Sequence, residues 1–399
     1  MSAPVNRRQW LKSTGLVAGS SVLLPGVLPA LESNHASRTI AFRDMSSSEY
    51  AVALQQMERD ATAARAAAGP IRLSSNENPF GMSPKAKESI MAAWPEHSQY
   101  QLQSIPELKA VYAKNIGMDP SNILITQGSS ETLSIADLAF NLRGGEVVTP
   151  WPTFEGLPRY ADTMGLTVHR VPLTESLGHD FAAMEKRMTS AVNLVFVCNP
   201  NNPTGILEDG NKMREFVRSA SRKALVVVDE AYHDFVDEPS YKPMLDMVKA
   251  GENVIISRTA SKIHGIAGLR IGFVIARPDI IERMKGFAMG TPNAFGLRAA
   301  IASLQDTEYQ NYVRQNNREG RHLLTKTLVA MGKKVAPSQA NFVFFQSGTP
   351  AEKVGAAMKA KGILIGRPFP PFNDWTRVSI GTSEEMKQFI AALPEALRV

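Results

Sequence analysis

The stretch ALVVVDEAY, residues 224–232, is a run of apolar, mostly β-branched residues that ends at Asp229. A short continuous apolar run is typical of a strand that is buried on both faces of a parallel sheet. A carboxylate at the end of such a strand is costly to bury unless it pairs with a cation or a protonated group. Asp229 therefore either forms a salt bridge or a helix cap, or it is the partner of a protonated nitrogen in a ligand.

Similar apolar runs recur on both sides of this stretch, separated by helical segments. They are ILIT (123–126), EVVTP (146–150), LVFVC (194–198), VIIS (254–257) and IGFVIA (271–276). Strands that alternate with helices indicate an α/β fold built on a mostly parallel sheet.

The pattern differs at the two ends of this α/β region. A helix is predicted from about Ser47 to a glycine stop at Gly69. After about residue 286 a long polar helix (306–331) precedes two short strands, NFVFFQ (341–346) and TRVSI (376–380). We therefore predict an N-terminal arm and helix over 31–95, a large domain over 96–285, and a smaller α+β domain over 286–399.

Composition excludes several classes of function. The chain has 399 residues, of which 44% are hydrophobic and 21% are charged, with a net charge of +6. Three of the positive charges (Arg7, Arg8 and Lys12) lie in the first thirty residues, and no basic run occurs elsewhere, so we predict no nucleic-acid partner. The one cysteine, Cys198, excludes an internal disulfide and a cysteine-based zinc site, and we predict no metal site.

The N-terminal stretch NRRQWLKSTGLVAGSSVLLPGVLPALES (6–33) has paired arginines followed by a weakly apolar segment. This order is typical of an export signal, and the Arg7–Arg8 pair resembles a twin-arginine signal. The alternatives are a disordered basic tail or a single anchor helix, but the apolar segment is short and rich in Gly, Ser and Pro for a membrane span. We predict a signal over 1–30, cleavage near Ala30, translocation by the twin-arginine machinery, a periplasmic or secreted protein, and no stable membrane anchor.

Polar and aromatic residues follow each predicted strand, at the end where open parallel sheets bind their ligands. These segments are Gln127–Glu131, Trp151–Phe154, NPNNPTG (199–205), Asp229–Tyr232 and SRTASKIHGIAGLR (257–270). Because the carboxyl ends of the parallel strands share one edge of the sheet, we expect these segments to converge.

The last of these segments contains Lys262, beside two hydroxyls and an arginine. A lysine in a loop is usually a solvated charge, but a desolvated lysine amine forms a Schiff base with an aldehyde. Thr259, Ser261 and Arg270 are the groups that a phosphate requires, and a helix that opens after Gly128 adds free N–H groups, although that glycine turn alone is also a common helix cap. Together with Asp229 as a partner for a ring nitrogen, this set predicts pyridoxal 5′-phosphate as the cofactor.

The turn NPNNPTG and its neighbours add contacts for a flat ring. The turn is either a rigid connection whose asparagines satisfy backbone groups, or it places the Asn202 amide on a ligand oxygen. Tyr232 would donate to the same oxygen, and Phe154 would stack on the ring.

These motifs carry a family resemblance that extends from about residue 71 to residue 386. SSNENPFG (74–81), NPNNPTG, VVVDEAYHDF (226–235) and SRTASKIHGIAGLRIGF (257–273) occur in the order seen in fold type I pyridoxal-phosphate aminotransferases of class I/II, and most resemble the histidinol-phosphate aminotransferase branch. The resemblance implies a large domain with a mostly parallel seven-stranded sheet, a smaller C-terminal α+β domain, and a homodimer.

The resemblance also implies roles for individual residues. Lys262 would form the internal aldimine, Asp229 would pair with the ring nitrogen, and Tyr232 completes the catalytic set. The residues implied to bind the cofactor also include Ser129, Ser130, Glu131, Phe154, Asn202, Thr259, Ser261 and Arg270, with Tyr100 reaching the phosphate of the neighbouring subunit. Those implied to face the substrate are Arg377, which would clamp an α-carboxylate, and Asn78, Asn341 and Arg367.

The chain departs from that branch outside the cofactor residues. Ser383 follows the Gly-Thr pair where the branch has arginine, AMGTPNAF (288–295) replaces a substrate segment, Gln101 follows Tyr100, and His264 stands where an aromatic is usual. These changes bear on recognition of a phosphorylated side chain.

The predicted reaction is transamination of a donor of histidinol-phosphate or aromatic type with a 2-oxo acid such as 2-oxoglutarate, through a Lys262 aldimine. The alternative is another pyridoxal-phosphate reaction on this fold, such as that of a decarboxylase, lyase or cyclase. A binding module that had lost catalysis would lack Lys262, Asp229 or Arg377, and all three are present.

Overall fold

The computed structural model describes residues 41–67 and 69–398. The predicted export signal over 1–30 and residues 31–40 of the predicted arm lie outside these ranges, so the signal and its cleavage stay predictions. Within the described ranges, no helix combines the length and apolar character needed to cross a membrane.

Strands and helices alternate through most of the described chain. The strands are β1 (Ile71–Leu73), β2 (Ile123–Thr126), β3 (Glu146–Trp151), β4 (Thr167–Pro172), β5 (Val192–Cys198), β6 (Leu225–Asp229), β7 (Val254–Thr259), β8 (Gly272–Ile275), β9 (Phe342–Gln346), β10 (Ile363–Ile365) and β11 (Trp375–Ser379). The α-helices are α1 (Ser47–Ala67), α2 (Pro84–Ala93), α3 (Ser104–Ile116), α4 (Ser129–Asn141), α5 (Gly156–Thr163), α6 (Phe181–Arg187), α7 (Gly210–Ser221), α8 (Leu245–Lys249), α9 (Pro278–Lys285), α10 (Ala294–Leu304), α11 (Thr307–Ala330), α12 (Ala351–Ala360) and α13 (Ser383–Ala396).

Seven strands form the large sheet, in the spatial order β2-β8-β7-β6-β5-β3-β4. β8 is antiparallel to both of its neighbours, and the other adjacent pairs are parallel. The predicted α/β fold with a mostly parallel seven-stranded sheet is therefore confirmed.

The central strand β6 shows why its sequence is continuously apolar. Val226 and Val228 point into the core on one face of the sheet, whereas Leu225 and Val227 point into the core on the other. Successive side chains of a strand alternate between faces, so a strand covered by helices on both sides needs apolar residues at every position.

Two smaller sheets lie in the C-terminal part of the chain. β9 pairs with β11 in antiparallel fashion, as expected for the predicted strands around residues 341–346 and 376–380. β10 pairs in parallel with β1, so a strand from the predicted N-terminal arm completes this region. A separate core forms around Leu324, Phe345 and Phe389.

The helices begin close to their predicted positions. α1 follows Ser46, whose hydroxyl accepts a hydrogen bond from the Glu49 N–H while the Glu49 carboxylate accepts one from the Ser46 N–H. This reciprocal cap fixes the start of the helix. α10, which follows the predicted boundary at residue 286, packs against α2 and α3. The domain boundaries themselves stay predictions.

Candidate active site

Two adjoining cavities lie at the carboxyl ends of the parallel strands. The inner cavity, of about 180 Å³, is lined by Asp229, Thr259 and Arg270 among others. The outer cavity, of about 860 Å³, is lined by Arg367 and Arg377 among others. The residues that line both cavities are Ser75, Ser130, Phe154, Tyr232 and Lys262. The predicted convergence of the strand ends therefore occurs.

Lys262 lies three residues beyond the end of β7, where the two cavities meet. Its Nζ atom donates to the carbonyl of Asn76 at 3.0 Å and lies 5.4 Å from the centroid of the Tyr232 ring. Burial, reinforced by the positive charge of Arg377, lowers the pKa of the Lys262 amine to about 8. A lysine with such a pKa carries a sizeable unprotonated fraction near neutral pH, which is the form that attacks a carbonyl.

Asp229 is the last residue of β6 and is only 2% exposed. Its Oδ1 atom has no hydrogen-bond partner, and its carboxylate forms no salt bridge, within the described ranges. Burial raises the pKa of this carboxyl to about 7. Because a buried carboxylate needs a cation or a proton, the free oxygen of Asp229 suits a protonated ring nitrogen.

The start of α4 and the loop after β7 form a site for an anion. Gly128 has a φ of +85° immediately before α4, and a Cβ atom at this position would overlap the Arg270 guanidinium. Ser261 accepts hydrogen bonds from Arg270 at 3.4 Å and from the Thr259 hydroxyl at 2.8 Å. A guanidinium, two hydroxyls and the free N–H groups of a helix N-terminus, beginning with Ser129, are a suitable set for a phosphate.

Asn202, Tyr232 and Phe154 are the residues predicted to contact the cofactor ring. Asn202 donates to the Tyr232 hydroxyl at 3.4 Å, and Phe154 lines both cavities. An amine for an aldehyde, an unpaired carboxylate oxygen for a ring nitrogen and a cradle for a phosphate fit pyridoxal 5′-phosphate in each of its functional parts.

Arg377, in β11, lines the outer cavity and is only 7% exposed. Its guanidinium donates to Asn202 and to the carbonyl of Ser74, both at 2.6 Å, while its Nε atom has no partner among the described residues. It lies 4.8 Å from the centroid of the Phe369 ring. Burial lowers the pKa of Arg377 to about 10. A buried guanidinium with a free donor is suited to an anionic group on the substrate.

Arg367 also lines the outer cavity, as predicted, but it is ion-paired. Its guanidinium donates to a carboxylate oxygen of Glu155 at 2.7 Å and lies 4.5 Å from the Phe369 ring centroid. The pair joins the segment after β10 to the residue that precedes α5.

Four predicted residues line neither cavity, and the first two to consider are Glu131 and Asn78. The carboxylate of Glu131 accepts hydrogen bonds from the N–H groups of Gln127 and Met289, so it fixes the turn before α4 and does not face the cofactor cavity. The Asn78 amide donates to the Ile263 carbonyl and to the Tyr309 hydroxyl, so its N–H groups are already used inside the protein.

The other two are Asn341 and Tyr100. The Asn341 amide donates to the carbonyl of Asn76 at 3.0 Å, so it supports the loop beneath Lys262 without reaching the cavity. Tyr100 is 86% exposed and does not contribute to the cavities of its own chain.

Two of the departures from the family pattern also lie away from the cavities. Ser383 is the first residue of α13, where Thr382 caps the helix. His264 is buried, and its Nδ1 atom lies 2.8 Å from the Ser303 hydroxyl. Neither side chain lines the inner or the outer cavity.

Asn76 is a site residue that sequence reasoning missed. It is 1% exposed, has a φ of 53° and donates to the Tyr232 hydroxyl at 3.1 Å, while its carbonyl accepts from Lys262. It occurs in the motif SSNENPFG, from which only Asn78 was selected. Asparagine tolerates the left-handed conformation better than most residues, which is the one sequence feature that would have favoured it. Glu155, Arg159 and Tyr160, which also line the outer cavity, were missed as well.

Comparisons with known proteins agree with this geometry. Residues 68–393 match the family described as aminotransferase class I and II. The histidinol-phosphate aminotransferase of Moorella thermoacetica is 36% identical over 331 residues, which cover 82% of this chain and 85% of that protein. The aromatic amino acid aminotransferase of Cutibacterium acnes is 34% identical over 338 residues, which cover 82% of this chain and 93% of that protein.

A solved structure gives the same result for the fold. The crystal structure of histidinol-phosphate aminotransferase from Sinorhizobium meliloti in complex with pyridoxal-5′-phosphate superposes with a TM-score of 0.77. It is 27% identical, and the match covers 83% of this chain and 91% of that chain. The predicted cofactor and reaction class are confirmed, and the alternative of a decarboxylase, lyase or cyclase is not favoured. The chain belongs to the aminotransferase class I and II family and is a pyridoxal-phosphate-dependent aminotransferase.

Proposed function

We propose that this aminotransferase transfers the amino group of an aromatic amino acid to a 2-oxo acid such as 2-oxoglutarate. The observation that carries the proposal is Arg377 beside Phe369 in the outer cavity. A buried guanidinium with one free donor suits a carboxylate, and the apolar side chain of Phe369 lines the same cavity. The aromatic amino acid aminotransferase among the relatives supports the same donor class.

Histidinol phosphate is the second candidate donor. One support is the 36% identical relative, which is a histidinol-phosphate aminotransferase. The other is a second guanidinium, that of Arg367, in the same cavity as Arg377. Arg367 is paired with Glu155, however, so a phosphate would have to compete with that carboxylate. The aromatic donor is placed first because its uncharged side chain leaves the Arg367–Glu155 pair intact.

The residues divide the chemical work as follows. When bound, pyridoxal phosphate supplies a carbonyl carbon for the donor nitrogen and a ring that accepts the electron pair left at the donor Cα. The Lys262 amine, released when the donor nitrogen replaces it on that carbon, would remove the Cα proton as a general base and return it to the cofactor carbon as a general acid. Asp229 would hold a proton on the ring nitrogen, while Asn76 and Asn202 orient the Tyr232 hydroxyl. Arg377 holds the donor carboxylate so that the Cα proton faces Lys262.

Visible absorbance tests the donor assignment. Purified holoenzyme is mixed with phenylalanine, tyrosine, tryptophan, glutamate or histidinol phosphate, one at a time. The visible absorbance band of the aldehyde form of the bound cofactor is followed. We expect the aromatic amino acids to bleach the band and 2-oxoglutarate to restore it. Bleaching by histidinol phosphate alone would replace the first candidate with the second. No bleaching by any of the five would contradict both.

We further propose that the protein acts as a homodimer in which Tyr100 reaches the neighbouring subunit. In support, Tyr100 is exposed, and two residues near it in the sequence, Trp94 and Leu102, also have exposed apolar side chains. Light scattering would measure the mass of the particle. In a dimer, Tyr100→Phe should lower the affinity for pyridoxal phosphate, because a hydroxyl donor to the phosphate is lost. An equal affinity would contradict the role of Tyr100.

Export through the twin-arginine route is a proposal as well. It rests on Arg7, Arg8 and the apolar segment that follows them. Replacing both arginines by lysine should retain the protein in the cytoplasm in cell fractionation, whereas Lys12→Arg should leave export unchanged. Export of the double-lysine variant would contradict the proposal.

A further inference from the structure

Three charged residues of the outer cavity, Glu155, Arg159 and Arg367, are candidates for contact with a substrate side chain. Glu155 accepts a hydrogen bond from Arg367 at 2.7 Å, and both side chains are partly exposed. Arg159 lies four residues after Glu155, and its backbone N–H donates to the Glu155 carbonyl at 3.0 Å. All three residues contribute to the lining of the same cavity.

Glu155 has two arginines as possible partners, and only one of them, Arg367, is ion-paired in the described part of the chain. Arg367 is ion-paired with it, whereas the Arg159 guanidinium forms no ion pair with any residue in the described ranges. Glu155 is the N-cap of α5 and Arg159 lies one turn further on, close to the spacing at which glutamate–arginine pairs form on a helix. Arg159 is therefore the candidate second partner of Glu155.

Transamination places a specific demand on this cavity. Two substrates use the same site in turn, and an aromatic donor has an uncharged side chain whereas 2-oxoglutarate has a second carboxylate. An arginine that stayed paired with a protein carboxylate would not bind the second carboxylate, so its partner has to be exchangeable.

We propose that Glu155 is a specificity-determining residue that exchanges between Arg367 and Arg159. With an uncharged side chain in the cavity, Glu155 stays on Arg367. When a dicarboxylic oxo acid enters, its second carboxylate takes Arg367 and Glu155 pairs with Arg159. Exposed ion pairs contribute little to stability, so the exchange has a small cost. The inference rests on the proposed function for its two substrate classes.

Equilibrium binding of unreactive acids to the holoenzyme tests the exchange directly. Glutarate stands for the dicarboxylic acceptor and butyrate for a matched monocarboxylate, and calorimetry gives the dissociation constants. Arg367→Gln should raise the dissociation constant of glutarate about tenfold, as expected for the loss of a charge-assisted hydrogen bond, and leave that of butyrate unchanged. Glu155→Gln should tighten glutarate severalfold, because the competing carboxylate is gone. Weaker or unchanged glutarate binding in Glu155→Gln would overturn the proposal.

The pair of variants at 155 and 159 identifies the partner. Arg159→Gln should raise the dissociation constant of glutarate about twofold, as expected for the loss of a pair at i,i+4 spacing. The same substitution should have no effect on glutarate binding in the Glu155→Gln background. An Arg159→Gln effect that persists in that background would mean that Arg159 binds the acid itself, which would contradict the exchange. Arg170→Gln is the matched control, because Arg170 is paired with Asp162 and lines neither cavity.

The outcomes also separate this inference from the proposed function. Holoenzyme whose cofactor band responds to no donor contradicts the proposed function. Holoenzyme that responds to aromatic donors and to 2-oxoglutarate, but binds glutarate equally in all the variants, contradicts only the role of Glu155. Circular dichroism and thermal unfolding establish that each variant is folded before binding is measured.

Discussion

Arg377 donates a hydrogen bond to the Oδ1 atom of Asn202 at 2.6 Å, and Asn202 donates through its amide nitrogen to the Tyr232 hydroxyl at 3.4 Å. One asparagine thus links a guanidinium of the outer cavity to a hydroxyl that lines both cavities. With the proposed roles of Arg377 and Tyr232, we expect this side chain to set the positions of both the substrate anion and the cofactor ring.

Asn202→Ala should weaken the binding of both molecules. The loss of a hydrogen bond to a charged group corresponds to about a tenfold rise in the KM for the donor. The dissociation constant for pyridoxal phosphate should also rise, because Tyr232 loses an orienting contact. Steady-state kinetics and cofactor titration measure the two effects. Asn122→Ala, which removes a bond to the Ala276 carbonyl far from the cavities, is the control and should change neither constant.

Asp229→Asn should stabilise the ligand-free protein at alkaline pH while it abolishes most of the activity. The pKa of Asp229 is raised from 3.8 to about 7 in the folded chain, so its ionisation opposes folding increasingly from about pH 4 and fully above about pH 7. The variant lacks this cost, and its melting temperature at pH 8 should exceed that of the unmodified protein. With pyridoxal phosphate bound, we expect the variant to have the lower melting temperature of the two proteins. Its kcat should be at least about a hundredfold lower than that of the unmodified protein. A lower melting temperature for the ligand-free variant at pH 8 would contradict the assignment.

Covalent uptake of pyridoxal phosphate by the ligand-free protein should accelerate as the pH rises through about 8. The unprotonated amine is the reactive form, and the pKa of Lys262 is lowered to about 8 by burial and by Arg377. Arg377→Gln removes that positive charge, so its profile should move to higher pH. Stopped-flow absorbance gives the rate at each pH, and Lys262→Ala should show no covalent uptake. A rate that is flat between pH 7 and 9 would be incompatible with a lysine of this pKa.

Gly128→Ala should lower the affinity for pyridoxal phosphate by more than its effect on stability would suggest. The added methyl group would overlap the Arg270 guanidinium and displace it from the anion site. Gly144→Ala is the matched control, since Gly144 also has a positive φ, of 95°, but has open space around its Cβ position. Both variants should lose about 1 kcal/mol of unfolding free energy to backbone strain. Equal cofactor affinities in the two variants would show that Arg270 is not held over Gly128 for binding.

The parts of the fold that sequence could predict are those buried on both faces. β2, β3, β5, β6, β7 and β8 each appear as a continuous apolar run, because helices cover both sides of the sheet. β4 (Thr167–Pro172) is mostly solvent-accessible at the edge of the sheet, so its sequence lacks that pattern. β1 and β10 have three residues each, too few for any periodicity to be recognised.

The site shows a similar division. Asp229 and Lys262 were predictable because an ionisable group placed at or just after the end of an apolar strand requires a partner, whereas Arg377 was assigned only through the family resemblance. Asn78 and Asn341 were assigned to the substrate, but their amides bond backbone carbonyls, which depends on packing that no local pattern encodes. Asn76 reaches the Tyr232 hydroxyl across 156 residues of chain, and that juxtaposition exists only in the folded protein.

The contact between Arg377 and the Ser74 carbonyl joins residues that are 303 positions apart. β1 and β10, which pair directly beside it, are separated by a similar length of chain. During synthesis all seven strands of the large sheet are therefore made before the segments that carry Arg367 and Arg377. The residues of the inner cavity thus leave the ribosome before the two arginines of the outer cavity that we propose to select the substrate.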